Sequence, residues 1–153
     1  MIQNFLSRLM GKTPGPAAFD ADEAELAIAA LLVRLARADD HYDEAERRRI
    51  DAVLAQRRGL SAEEAAALRI EAEGLEAEAS DTVRFTKQIK DHIALEDRRG
   101  VLSALWEVAL ADQARGADED SLIRLVAGLL GVSDRDSAQI RQQVMERTGL
   151  RPA

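Results

Sequence analysis

The chain has 153 residues, a formal charge of −7 and no cysteine, which removes disulfides, thiolate zinc sites and cysteine nucleophiles together and fits a reducing, cytoplasmic setting. A chain of this length buries about 70% of the surface its unfolded form exposes, so it folds as one domain without a staple. Its negative field repels phosphate backbones, and the one compact basic run, Arg47-Arg48-Arg49, reads as a solvated helix face, so no nucleic-acid partner is expected.

Ala, Leu, Glu and Arg dominate, aromatics make up 3% of the chain, and its three prolines stand at 14, 16 and 152, outside every apolar periodic segment. No stretch alternates with period two. The expectation is an all-α bundle of about seven helices. Residues 1–10 read as a short amphipathic helix carrying Ile2, Phe5, Leu6 and Leu9, and residues 11–19 as a Pro/Gly linker. With Arg8 and Lys12 beside its apolar stripe, that helix suits docking on its own domain, a partner groove including a second copy, or weak peripheral membrane contact through residues 2–10. Gln3, Asn4, Ser7 and Arg8 interrupt it, so no signal peptide is expected.

The helical domain is drawn over residues 20–150. Its first helix runs to about Ala38 with a broad apolar face including Leu26, Leu31, Val33 and Leu35. Its apolar run, Leu26 to Val33, falls far short of the roughly 20 residues that cross a bilayer, so no membrane span is expected. A second helix from Glu44 ends near Gly59, with Ile50, Val53 and Leu54 inward. Ser61 and Glu64 form a capping box that opens a third helix, predicted to send Leu68, Ile70 and Leu75 to the core. A shorter helix offers Val83, Phe85 and Ile89, and a longer one carries Val101, Leu102, Leu105 and Val108 with Trp106 as a core anchor. Two more follow, the first ended by Gly131 and the second opened by Ser133 and Asp136.

Setting residues 32–50 against 105–123 pairs Leu32 with Leu105, Ala36 with Ala109, Asp39 with Asp112, Glu46 with Glu119 and Ile50 with Ile123. Alanine and leucine coincide easily between helices, so the acidic pairs carry the repeat. The first copy reads Ala38-Asp39-Asp40-His41-Tyr42-Asp43-Glu44-Ala45-Glu46 and the second Ala111-Asp112-Gln113-Ala114-Arg115-Gly116-Ala117-Asp118-Glu119. In this pattern the chain resembles the tellurite-resistance protein B family, marked by an Ala-Asp-Gly turn, a downstream Asp and Glu, and an apolar helix, present twice. The resemblance spans roughly residues 22–148. It implies an all-helical fold related to the N-terminal domain of a membrane-anchored DnaJ-like co-chaperone, association with stress-response systems, and metal binding. Asp40 and Gln113 replace the turn glycines, and Gly116 replaces the acid that Asp43 supplies in the first copy.

Read as ligands, Asp39, Asp43 and Glu46 form the stronger oxygen site and Asp112 and Glu119 the weaker, suited to calcium or magnesium ahead of zinc. An EF-hand is excluded, because counting from Asp39 puts Glu44 at the invariant glycine and Ile50 at the bidentate glutamate. Read as structure, Asp43 and Glu46 have the spacing of an N-cap and its N3 partner, and Asp39 and Asp112 serve turn amides. The two histidines, His41 and His92, stand in different turns without an HExxH helix, and no nucleophile elbow or Gly-rich phosphate loop is present. The expected function is therefore non-enzymatic: a stress-response or tellurite-resistance-associated module that binds a divalent cation, a protein partner or both through duplicated acidic turns, with self-association expected through the N-terminal helix. The alternative is a structural scaffold or dimerisation domain whose acids only cap helices.

Overall fold

A computed structural model of the protein describes residues 16–38, 42–79, 81–112 and 117–152. Among these the secondary structure is wholly helical, in the order α1 (Pro16–Arg37), α2 (Glu44–Arg58), α3 (Ala62–Glu78), α4 (Val83–His92), α5 (Leu95–Ala111), α6 (Ala117–Leu129) and α7 (Asp134–Thr148). The predicted amphipathic segment 1–10 lies outside the described residues. Helix α1 begins at Pro16, so four residues assigned to the linker belong to it. Proline suits the first helical position, where its fixed φ is already helical and no amide hydrogen is needed.

Helix α1 is buried on every side from Leu26 to Val33, as a helix without a polar face must be. It packs against α2, α3, α4, α5 and α6. Helix α5 is the second core helix, buried continuously from Ala104 to Leu110, and α7 and α6 close over it. Trp106 is 8% exposed and donates its indole N–H to Ser137 Oγ at 3.1 Å, which satisfies the ring's one polar atom inside the core.

The predicted repeat is visible in the packing. Leu32, Ala36 and Ile50 are fully buried, and so are their counterparts Leu105, Ala109 and Ile123. Each unit adds a third helix: α3 packs on α1 and α2, and α7 packs on α5 and α6. Arg34 on α1 is ion-paired with Glu76 on α3 at 3.0 Å, and at the equivalent place Glu107 on α5 is ion-paired with Arg147 on α7 at 3.1 Å, with the signs exchanged.

Local chemistry sets the helix ends. Ser61 and Glu64 make both halves of the capping box, and Ser133 accepts the amide hydrogen of Asp136 at 3.1 Å. Gly59 and Gly131 end α2 and α6 at φ 66° and 77°, where a side chain would be strained. Two residues predicted to be core are not: Ile70 is 59% and Val83 52% exposed. The buried line of α3 runs through Ala65, Leu68, Ala72 and Leu75, and Ile70 stands on the opposite side of that helix. On α4 the buried face is Phe85, Thr86 and Ile89, and Val83 lies beside it.

Replacing Ser61 by Ala is expected to cost about 1 kcal/mol through the lost cap, and Leu54→Ala about 2–5 kcal/mol through the cavity it leaves. Urea unfolding of both variants checks this; equal losses would show that Leu54 is not the core position its burial indicates.

Candidate functional site

The first acidic turn joins α1 to α2. Asp39, with Asp40 and His41, lies outside the described residues. Asp43 is the N-cap of α2: its backbone is extended, its carboxylate is exposed, and Oδ1 accepts the amide hydrogen of Glu46 at 3.0 Å. This is the capping role that the spacing allows. Glu46, in the first turn of α2, is partly buried, and water does not reach its Oε2.

Tyr42, immediately before Asp43, holds this turn to the rest of the fold. Its ring lies 4.9 Å from the Arg37 guanidinium carbon and 5.0 Å from that of Arg47. Its hydroxyl donates to Glu73 Oε2 on α3. The same oxygen accepts from Arg69 Nη1 at 2.9 Å, and Arg69 Nε donates to Asp51 on α2 at 2.6 Å. Burial, then the hydrogen bond to Glu73, pushes the Tyr42 phenol above its ordinary range. Burial alone raises the Glu73 carboxyl, but the hydrogen bonds from Tyr42 and Arg69 outweigh it and hold the group below its usual range. Burial likewise works against the Arg69 charge, and the hydrogen bonds to Asp51 and Glu73 reverse the sign and raise its pKa. Neither Tyr42 nor its partners stood out in the sequence; a lone tyrosine inside a charged turn was the available signal.

The second turn joins α5 to α6. Asp112 caps the C-terminus of α5 with its amide hydrogen on Ala109 O at 3.3 Å, and its Oδ2 is shut off from water. Residues 113–116 lie outside the described residues. Glu119, in the first turn of α6, is 0% exposed, and Oε2 is among its buried atoms. Of the five predicted ligands, then, Asp43 is a solvated cap, while Glu46, Asp112 and Glu119 each keep a carboxylate oxygen out of water. Among the described residues no three His, Asp or Glu side chains are grouped so as to hold a metal ion. His92 is exposed at the end of α4.

A cleft of about 330 Å³ lies between α2, α5 and α7, with Val53 and Ala104 among its lining residues. Its charged walls are engaged within the fold: Arg57 with Glu25 at 3.4 Å, and Arg147 with Glu107. Among the described residues no helix is long and apolar enough to cross a membrane.

In comparisons with known proteins, the family model described as tellurite resistance protein TerB matches residues 25–142, a span that includes both acidic turns. No curated protein and no solved structure matches the chain.

Tyr42 is the only tyrosine, so absorbance titration reads it alone. Its ionisation is expected above the ordinary value of about 10. A pKa raised by folding contributes stability that is complete below the unfolded value and is lost as pH climbs toward the folded one. Unfolding measurements should therefore show wild type losing stability above about pH 10, and Tyr42→Phe lacking that part of the loss. A titration midpoint at the ordinary value would sink the clamp. Glu73 acts at the other end: its lowered pKa gives stability present above the usual carboxyl range and lost as pH falls through the folded value.

Proposed function

The chain belongs to the tellurite resistance protein TerB family, and on that premise we propose that it is a non-catalytic stress-response module whose two acidic turns engage a divalent cation, a protein partner, or both. The observation that supports this reading is the duplicated acidic pattern within the family match, with Glu46 and Glu119 at repeat-equivalent places in the first turns of α2 and α6. Calcium and magnesium favour the oxygen ligands that such turns carry, and a basic group on a partner would meet them with charge-assisted hydrogen bonds.

Basic residues stand by both turns, Arg37 and Arg47 beside the first and Arg115 within the second, and the first has more carboxylates by count. The alternative of a purely structural domain has the Asp43 cap in its favour.

Thermal unfolding of chelator-stripped protein, with and without millimolar calcium, magnesium, zinc or manganese, separates the readings. An ion present at 100 times its Kd stabilises the native state by about 2.7 kcal/mol, and each kcal/mol moves Tm by about 2–4 °C in a chain of this size. We expect one hard cation to raise Tm, with the rise reduced in Glu46→Gln and in Glu119→Gln. If no ion moves Tm and binding of basic peptides is absent as well, the carboxylates are structural.

A further inference from the structure

The two units of the repeat share a place that is filled in one and open in the other. Helix α4 stands between the units in the chain and belongs to neither. It starts beside Arg34, whose guanidinium carbon lies 5.3 Å from the centre of the Phe85 ring and whose Nη1 donates to Thr82 Oγ1 at 3.4 Å. It ends beside the last turn of α6, where Arg98 donates to Lys90 O at 3.1 Å and to Leu130 O at 3.0 Å. Helix α4 therefore lies on α1 and α6 between Arg34 and Leu130. The shift of 73 that sets Leu32 on Leu105 carries Arg34 to Glu107 on α5, and Leu130 back to Arg57 on α2. Glu107 and Arg57 both line the cleft of about 330 Å³ between α2, α5 and α7. Among the described residues no helix covers it. Burial agrees: Ala27 and Ala30 on α1 are fully buried, whereas their counterparts Gly100 and Ser103, in the cleft wall, are half-buried.

The charge of the cleft suits the same kind of occupant. A helix lying there in the direction of α4 turns its N-terminal amides toward Glu107 and its C-terminal carbonyls toward Arg57, the arrangement that a helix dipole favours. On the filled side the cation at the C-terminal end is Arg98. Its counterpart is Glu25, which is ion-paired with Arg57 at 3.4 Å and Arg58 at 3.2 Å, so positive charge stands at that end of the open place too. Gly100 lies inside α5, where alanine is the better helix former. A Cβ there would meet Arg57 Nη1 at 3.0 Å, so the glycine keeps room for that guanidinium against the cleft wall.

We propose that this cleft is the docking site for an amphipathic helix of a partner protein, seated on α5 and α2 as α4 is seated on α1 and α6. The helix has about three turns, as α4 has. It sets small or aliphatic side chains on Val53 and Ala104, and an acidic side chain of its last turn at Arg57. The surface is separate from the acidic turns and does not rest on what they bind.

The probe is a displayed library of helical peptides about 14 residues long, near the length at which an isolated helix holds together, selected on the full chain. The expected binders carry apolar residues at i and i+4 and an acid in the last turn, with a Kd of about 10 μM by fluorescence anisotropy. Gly100→Leu, Arg57→Gln, or moving the peptide's acid to its first turn, beside Glu107, should each weaken binding about tenfold. Gly100→Ala is the variant safe for folding: it strengthens the helix and displaces only the end of Arg57, so weaker binding reports the cleft. No binder, or binders indifferent to these changes, would overturn the proposal. Tighter binding to the Phe5→Ser, Leu6→Ser double variant would overturn it in favour of the chain's own N-terminal segment. A dimer in sedimentation that Gly100→Leu dissociates would do so in favour of a second copy.

Discussion

Helix α1 has no polar face between Leu26 and Val33, and the rest of the fold follows from covering it. An amphipathic helix needs one neighbour; a helix apolar all round needs them on every side. Five of the other six described helices meet this need, and α5, itself deeply buried, is one of them. A buried helix satisfies its own backbone hydrogen bonds except at its ends. Polar chemistry in such a bundle is therefore pushed to the places where buried helices stop, which is where both acidic turns sit.

The repeat shows which features of a helical unit are fixed by packing and which are free. Apolar positions facing the shared core are buried in both copies, from Leu32 and Leu105 to Ile50 and Ile123. The ion pair that ties the first helix of each unit to the third is kept in place but reversed in sign. The reversal has a consequence for the helix end. Arg34 also reaches Ala79 O at 2.8 Å and so serves an unpaired carbonyl at the end of α3, whereas Glu107, an acceptor only, has no such option. In the second unit Met145 O, at the end of α7, accepts from the Gly149 amide, with φ at 76°, and from Arg151 Nη1 at 3.0 Å, so the arginine there comes from beyond the helix and not from the first helix of the unit.

Features governed by neighbours along the chain were legible in the sequence. The Ser61–Glu64 box, the Ser133 cap, the glycine stops and the all-helical class depend on a few consecutive residues, and they stand where spacing placed them. The family was legible for a related reason, since its mark is a short acidic pattern present twice. Ile70 was misplaced because a helix rich in alanine offers several plausible apolar lines, and only packing against α1 and α2 selects the one through Ala65 and Ala72. The Tyr42 clamp was illegible because its partners Glu73 and Arg69 are on another helix. Glu119 stands in the run Asp118-Glu119-Asp120, which reads as a solvated helix start; only its alignment with Glu46 hinted at a different environment.

The two turns are thus alike in their carboxylates and unlike in what surrounds them. In the first, Arg37 and Arg47 lie against Tyr42, and Tyr42 and Arg69 converge on Glu73, so much of the local charge is engaged in holding the turn against α3. In the second, Arg115 occupies the tyrosine's position, and Leu110 and Asp120 replace the two flanking arginines. The network that ties the first turn to α3 is therefore built on Tyr42, Arg37 and Arg47, three positions that the second copy does not repeat, which is why the shared carboxylate pattern does not carry a shared setting.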